Sequence, residues 1–183
     1  MAGGRSSRMG TDKAMIPIDG EPMISRIVSA LAEAGLEPIR ISVSSPDDVE
    51  GYGSSIDEGF DVEWVLDSRP FSGPIEAIEE ALLDPQFQEI EFLQLAPVDY
   101  PWVSAELFKS LRNEIGESDS LIMPFDGEKP HPLLALVRPE TIRKMLRNGD
   151  RRPLHRQFKE VRHSLLMEDP RVLRNVNRPE DLN

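Results

Sequence analysis

The stretch Ala2-Gly3-Gly4-Arg5-Ser6-Ser7-Arg8-Met9-Gly10-Thr11-Asp12-Lys13 is the most informative segment of this 183-residue chain. It holds three glycines, two serines, two arginines and a lysine, and it shows no apolar period. Glycine lets the backbone approach an anion without a Cβ in the way, and consecutive N–H groups together with cationic side chains attract negative charge. The sequence therefore predicts a polyphosphate-binding loop.

Two common phosphate-binding motifs do not occur in this loop. A Walker A motif needs Gly-Lys-Ser/Thr after four spacer residues, and a dinucleotide fingerprint needs Gly-x-Gly-x-x-Gly. A P-loop kinase is therefore disfavoured. Composition alone is equally typical of a disordered terminal tail rich in Gly, Ser and Arg, so the residues of the loop leave that alternative open.

The composition of the whole chain excludes several classes of protein. There is no cysteine, which rules out disulfides, thiolate metal sites and a cysteine nucleophile. No apolar run approaches the roughly 20 residues of a membrane span. The net charge of −12 argues against nucleic-acid binding, which needs a basic surface. We expect a single domain over residues 1–183, cytoplasmic, with neither membrane nor nucleic acid as a partner.

Segments with strand and helix patterns alternate after the loop. Helical spacing of apolar residues follows Pro22, Pro74 and Pro139 and includes Leu107 and Leu111, and Gly35 is a typical helix stop. Strand-like segments are residues 14–18, 38–44, 62–66, 90–96, 121–124, 133–137 and 161–167. This alternation predicts an α/β protein, a three-layer α/β/α sandwich around a Rossmann-like, mostly parallel sheet.

Two aspartates directly follow predicted strands. Asp67 comes after residues 62–66, and Asp99 stands just past residues 90–96. A carboxylate in such a position either binds a hard cation such as Mg²⁺ or caps a turn, and position alone does not separate these roles. His131 is more typical of a structural histidine than of an acid or base.

The pattern Ala-Gly-Gly-x-Ser-x-Arg-Met-Gly-x-Asp-Lys-Ala at residues 2–14 resembles the signature loop of the molybdenum cofactor guanylyltransferases, within the nucleotidyltransferase superfamily. Further segments are similar to later motifs of that family and occur in the same order: residues 18–24, 67–68 with 72–74, 96–101, 131–137 and 175–182. The resemblance covers nearly the whole chain. It implies a sheet of the nucleotide-diphospho-sugar transferase type.

The resemblance also implies an activity and a set of site residues. The activity is transfer of GMP from GTP to the terminal phosphate of molybdopterin, with Mg²⁺ as the cofactor and pyrophosphate as the product. Lys13, Asp99 and Arg8 are implied in catalysis, and Asp99 is the implied metal ligand. The implied nucleotide and cofactor contacts are Ala2, Gly3, Gly4, Lys13, Ser44, Asp67, Gly73 and Asn177.

Several alternatives stay open. Ala-Gly-Gly is typical of guanylyl-transferring relatives, so GTP is preferred over CTP as the donor. The sequence does not define the acceptor pocket, so the second hypothesis is a guanylyl or cytidylyl transferase that acts on another phosphorylated acceptor. The chain could also be a nucleotide-binding adaptor without turnover, with a molybdoenzyme or cofactor-biosynthesis protein as a partner. Residues 138–163 hold nine Lys or Arg against three acidic residues, which indicates either a solvated helix face, slightly favoured, or a docking surface.

One feature of the resembled family is not visible in this sequence. A phosphate loop in an α/β fold normally follows a buried central strand, and the family has such a strand before Ala-Gly-Gly. Only Met1 precedes the loop here. We expect Met1 to be an internal methionine of the natural protein and the domain to lack its first strand.

Overall fold

A computed structural model describes residues 12–67, 74–85, 89–149 and 152–182. Strands and helices alternate along these ranges, as the sequence predicts. The strands are β1 (Pro17–Ile18), β2 (Glu21–Pro22), β3 (Ile39–Val43), β4 (Val62–Leu66), β5 (Leu93–Gln94), β6 (Leu121–Phe125), β7 (Leu136–Val137) and β8 (His163–Met167). The helices are α1 (Met23–Glu33), α2 (Pro46–Gly53), α3 (Pro74–Leu83), α4 (Ala105–Glu114), α5 (Pro139–Arg147) and α6 (Leu154–Gln157).

The strands of the described ranges form three sheets. β1 and β2 make a short hairpin whose turn residues Asp19 and Gly20 both have positive φ, as a tight hairpin turn requires. β3 and β4 pair in parallel, from Ile39 opposite Val62 to Val43 opposite Leu66. The largest sheet has the order β5-β7-β6-β8, in which β6 and β8 are parallel and β7 is antiparallel to β5 and β6.

Helix α1 shows how the sequence pattern produces the local structure. Its apolar residues recur at helical spacing and are buried, and the chain leaves the helix at Gly35, whose φ of +73° suits glycine. Helix α2 starts at a capping box, in which Ser45 accepts from the backbone N–H of Asp48 and the Asp48 carboxylate accepts from that of Ser45. Both boundaries are therefore set by residues close in sequence.

Two groups of buried apolar residues hold the layers together. The first joins α1, β3 and α4 and includes Leu107, Phe108 and Leu111 of α4. The second joins α3, the large sheet and the α5–α6 region, and includes Phe158. In the described ranges, no helix combines the length and the apolar character needed to span a membrane.

The α/β class is confirmed, but several element boundaries differ from the prediction. Of the predicted strand 14–18 only β1 remains, and Ala14 and Met15 belong to a 3₁₀ turn that the Asp12 carboxylate caps. Residues 132–134 also form a 3₁₀ turn, since Pro132 has no N–H for a strand ladder, and only β7 remains of the predicted strand 133–137. The short helix α6 was not predicted.

Candidate active site

Lys13, Asp99 and Asn177 come together from three distant parts of the chain. The Lys13 ammonium donates a hydrogen bond to Asn177 Oδ1 at 2.8 Å and lies 3.8 Å from Asp99 Oδ2. The Asp99 carbonyl accepts from the Val176 N–H at 2.8 Å, which ties the C-terminal segment to the loop after β5. We call these three residues the Lys13 cluster. The side chains of Lys13 and Asp99 are 18% and 24% exposed, so solvent and ligands have access.

Helix α2 holds the beginning of the segment that carries Lys13. Asp12 Oδ1 accepts from the Ala14 N–H at 3.1 Å, and Asp12 Oδ2 accepts from the Tyr52 hydroxyl at 2.5 Å. Tyr52 is buried, and its ring lies beside Trp64. Burial, together with Asp12, raises the pKa of Tyr52 far above its ordinary value, so the hydroxyl keeps its proton and stays a donor.

A partly buried chain of hydrogen bonds holds the residue after Asp99. The Tyr100 hydroxyl is 3.1 Å from His131 Nδ1, and His131 Nε2 is 2.8 Å from Asp126 Oδ2. Because a carboxylate only accepts, Nε2 carries a proton and donates it to Asp126 in a hydrogen bond, while Nδ1 shares a hydrogen bond with the Tyr100 hydroxyl. Burial, Asp99 and Asp126 raise the pKa of Tyr100 to about 12, which keeps its hydroxyl protonated. His131 is thus structural, bonded through both ring nitrogens.

The Asp126 carboxylate anchors this chain and makes the stability of the fold depend on pH. It accepts from the backbone N–H groups of Lys129 at 2.8 Å and Glu128 at 2.9 Å, and these bonds, with His131, lower the pKa of Asp126 to about 2. A lowered carboxyl pKa stabilises the fold above the ordinary pKa, near 4, and this contribution disappears as the pH falls toward 2.

We therefore expect Asp126→Asn to lower the free energy of unfolding at pH 7, and the difference from the parent chain to shrink between about pH 4 and pH 2. Urea unfolding at pH 7, 4 and 3 measures this. Asp61→Asn is the matched control, because the Asp61 side chain is exposed. A difference that stayed constant over this pH range would contradict the assignment of the low pKa to Asp126.

Ser44 and Asp67 lie at the carboxyl ends of the two paired strands β3 and β4. They follow Val43 and Leu66, which are opposite each other in the ladder. Asp67 accepts a short hydrogen bond from the Ser42 hydroxyl and donates its N–H to the Val43 carbonyl at 2.9 Å. Burial raises the pKa of Asp67, while Ser42 lowers it in part. This sheet edge therefore presents one partly buried carboxylate.

The oxygen atoms of the Lys13 cluster suit a hard divalent cation. Burial raises the pKa of Asp99, and the adjacent Lys13 charge offsets part of that effect. Mg²⁺ typically takes one or two carboxylates and completes its shell with water and phosphate oxygens. Among the described residues no three His, Cys, Asp or Glu side chains are grouped to hold a metal. A cation at Asp99 would therefore need ligand oxygens from a substrate as well.

Some of the predicted site residues cannot be placed. Ala2, Gly3, Gly4, Arg8 and Gly73 lie outside the described residues. Sequence reasoning also missed the residues that support the site, namely Tyr52, Tyr100 and Asp126. Tyr52 is 40 positions from Asp12, and no local pattern connects them. For Asp126 the only local signal was the turn that begins at Asp126-Gly127.

Several arginines of the basic stretch at residues 138–163 form ion pairs with acidic residues of the chain. Arg147 lies 2.5 Å from Glu140, and Arg152 pairs with Glu160 at 2.6 Å. The Arg138 guanidinium stacks on Phe92 at 4.6 Å from the ring centroid. These contacts favour the interpretation of residues 138–163 as a solvated helix face over their interpretation as a docking surface.

Comparisons with known proteins agree with this architecture. A family model described as a MobA-like NTP transferase domain matches residues 1–164. The chain is 29% identical over 192 residues to a probable molybdenum cofactor guanylyltransferase of Methanothermobacter thermautotrophicus, covering 100% of this chain and 94% of the relative. It is 31% identical over 192 residues to a probable molybdenum cofactor guanylyltransferase of Opitutus terrae, covering 99% of this chain and 90% of the relative.

A solved structure shows the same fold. The crystal structure of molybdopterin-guanine dinucleotide biosynthesis protein A from Archaeoglobus fulgidus superimposes with a TM-score of 0.70 at 19% identity, over 99% of this chain and 92% of that one. The predicted α/β fold of the nucleotide-diphospho-sugar transferase type is confirmed, as is the resemblance to the guanylyltransferases. Because the family model matches most of its length, the chain belongs to the MobA-like NTP transferase domain family.

Proposed function

We propose that this protein is a nucleotidyltransferase that moves GMP from GTP to the terminal phosphate of molybdopterin and releases pyrophosphate. The observation that carries the proposal is the Lys13 cluster, a cation 3.8 Å from a partly buried carboxylate, in a chain of this family. The full-length relatives named as molybdenum cofactor guanylyltransferases support the choice of reaction. An adaptor without turnover would have less need for a carboxylate held beside the lysine.

In this reaction an oxygen of the acceptor phosphate forms a bond to the α-phosphorus of GTP, and the bond from that phosphorus to the bridging oxygen of the β-phosphate breaks. No covalent enzyme intermediate is needed, so the chain contributes position and charge. Lys13 neutralises phosphate charge at the triphosphate. Gly3, Gly4 and Arg8 of the loop are the residues that we propose to supply backbone N–H groups and a second cation to the phosphates.

Asp99 and Asn177 are the residues that would hold Mg²⁺ against the nucleotide. Their oxygens are both within reach of Lys13, which orients them. When bound, the metal supplies positive charge at the α-phosphate. The Asp126–His131–Tyr100 chain positions the backbone next to Asp99, and Asp12 with Tyr52 positions Lys13.

Ser44, Asp67, Gly73 and Ala2 are the proposed contacts to the nucleoside. Asp67 is the residue of this set best suited to a purine with N–H donors, since an ionised carboxylate only accepts hydrogen bonds. Guanine offers two such donors on one edge, whereas cytosine offers a single amino group. This difference supports GTP over CTP as the donor. A molybdoenzyme or another cofactor-biosynthesis protein is the proposed recipient of the product.

Pyrophosphate release tests the proposal directly. We expect release with GTP, Mg²⁺ and molybdopterin together, at least about tenfold slower release with CTP, and none after EDTA treatment. Omitting molybdopterin is the control for simple hydrolysis. Equal release without the acceptor would contradict the transfer reaction, a faster rate with CTP would contradict the guanine preference, and GTP binding without release would favour the adaptor.

A further inference from the structure

Strand β8 forms one edge of the largest sheet and carries exposed apolar side chains. In the described ranges it pairs with β6 alone, in a continuous register without a bulge. Leu165 is 47% exposed and Met167 is 66% exposed. Proteins usually protect such an edge with lysine, proline, a bulge or a covering element, and residues 163–167 contain neither lysine nor proline. The edge is therefore suited to pairing with a further strand.

The odd-numbered residues of β8 direct their backbone groups toward this outer edge. At one end of the ladder, the Arg162 carbonyl accepts from the Ser120 N–H at 2.9 Å. At the other end, the Glu168 N–H donates to the Phe125 carbonyl at 3.0 Å. Because the N–H and C=O of one residue share a direction that alternates along a strand, the even-numbered residues bond inward and the odd-numbered residues point outward.

The two faces of β8 differ in how they are covered. On one face, Leu166 packs against the first buried group, and the Ser164 hydroxyl donates to the Asp119 carboxylate. On the other face, Leu165 lies opposite Met123 of β6, which is buried in the second group. Leu165 therefore continues an apolar surface of the core to the outer edge of the sheet, where a partner strand would bury it.

We propose that the partner of this edge is strand β8 of a second copy of the chain, paired antiparallel about a two-fold axis at Leu165. In this register Leu165 lies opposite its own counterpart, and His163 lies opposite Met167 of the second copy. The outward N–H and C=O groups of Leu165 then form the hydrogen-bonded pair of an antiparallel ladder. The two-fold axis covers the same exposed apolar residues on both copies.

The charges at the two ends of β8 fit this antiparallel register. Arg162 precedes the strand with a side chain that is 71% exposed, and Glu168 follows the strand. Both lie three positions from Leu165, so Arg162 of each copy falls opposite Glu168 of the other, with both side chains on one face. Arg162 Nε lies 3.6 Å from Asp119 in its own chain, and the guanidinium has further donors for a second carboxylate. Opposite charges in such pairs are stabilising.

Sedimentation equilibrium of the full chain tests the dimer. A contact between two five-residue strands is at the small end of specific interfaces, so we expect a dissociation constant of about 10–100 µM. Leu165→Lys places two ammonium groups opposite each other at the axis and should raise that constant at least about tenfold. Leu83→Lys is the matched control, because Leu83 is an exposed leucine at the end of α3 and should leave the constant unchanged.

Exchange of the end charges tests the register. Arg162→Glu and Glu168→Arg should each raise the dissociation constant about three- to tenfold, since the dimer holds two such pairs and each change places like charges opposite. The double variant restores opposite charges and should bring the constant back close to that of the parent chain. Melting temperatures of the dilute variants check the fold, because Arg162 also faces Asp119. A double variant as weak as the single ones would contradict this register.

The axis at Leu165 also predicts a cross-link that depends on position. The chain has no cysteine, so a single introduced thiol can pair only with its counterpart. In Leu165→Cys the two Cα atoms should lie about 5.5 Å apart, within the reach of a disulfide. Met167 is the more exposed residue, but in Met167→Cys the two thiols are about 13 Å apart along the strands and should cross-link far more slowly. Equal rates would overturn the proposal.

Amide hydrogen exchange identifies the groups that the dimer covers. Protection of the odd-numbered amides of β8 should rise with chain concentration. Protection of these amides in a monomer would indicate a partner within the chain, and a dimer without it would indicate another surface. A chain that stays monomeric throughout would leave the edge to a different protein. Each of these three results would overturn the proposal, and none of them depends on turnover or on the proposed enzymatic function.

Discussion

Asp99→Asn should lower pyrophosphate release by about 10²–10³-fold, the range typical for removing one preorganised group that stabilises developing charge. The substitution keeps the size of the side chain and removes its negative charge. Asp99 lies 3.8 Å from Lys13 and is the carboxylate that we propose as the metal ligand. We expect GTP binding to be partly retained, because the phosphate contacts that we propose for the loop and Lys13 do not depend on the Asp99 carboxylate. Initial rates and GTP binding by calorimetry measure the two effects separately.

The matched control for this substitution is Asp61→Asn, which removes an exposed carboxylate elsewhere and should leave both quantities unchanged. The pH profile adds a second readout. Burial raises the pKa of Asp99, and the reaction needs its ionised form, so activity should rise with pH through a value above that of an ordinary aspartate. This acid limb should vanish in Asp99→Asn. Unchanged turnover would remove Asp99 from the mechanism.

Lys13→Met should weaken binding of GTP and lower kcat/KM by about 10²-fold, in the range of one lost hydrogen bond to a charged group. Methionine retains most of the length of the side chain without its charge. The main change should be in KM if Lys13 contacts the phosphates equally in the ground state and the transition state. Titration of GTP binding and steady-state kinetics at several GTP concentrations distinguish these possibilities.

Loss of Lys13 should also change the pKa of the neighbouring Asp99. Its charge lowers the pKa of Asp99, so in Lys13→Met that pKa should rise further and the acid limb of activity should move to higher pH. Lys109→Met, an exposed position on α4, is the control for loss of one positive charge. Melting temperatures of both variants separate effects on binding from effects on stability. An unchanged KM together with an unchanged pH profile would contradict the role of Lys13.

The elements whose boundaries depend on nearby residues were predictable. Helix α1 and its end at Gly35 and strands β3, β4 and β6 follow from periodicity and turn chemistry within a few residues. The first two residues of the predicted strand 14–18 were predicted wrongly, since Ala14 and Met15 lie in a 3₁₀ turn. The apolar run that predicted a strand is only five residues long. The hydrogen bond from the Ala14 N–H to the Asp12 carboxylate caps the turn and outweighs this short pattern.

The sequence by itself determined the fold class and the place of Asp67 directly after strand β4, because these depend on local patterns and on motifs that resemble a family. Only the tertiary structure decided that Lys13 contacts Asn177, 164 positions away, and that Tyr52 and Asp126 hold the neighbours of Lys13 and Asp99. The physical reason is that such contacts depend on how sheets and helices pack, and a bond between distant residues leaves no periodic trace in either segment.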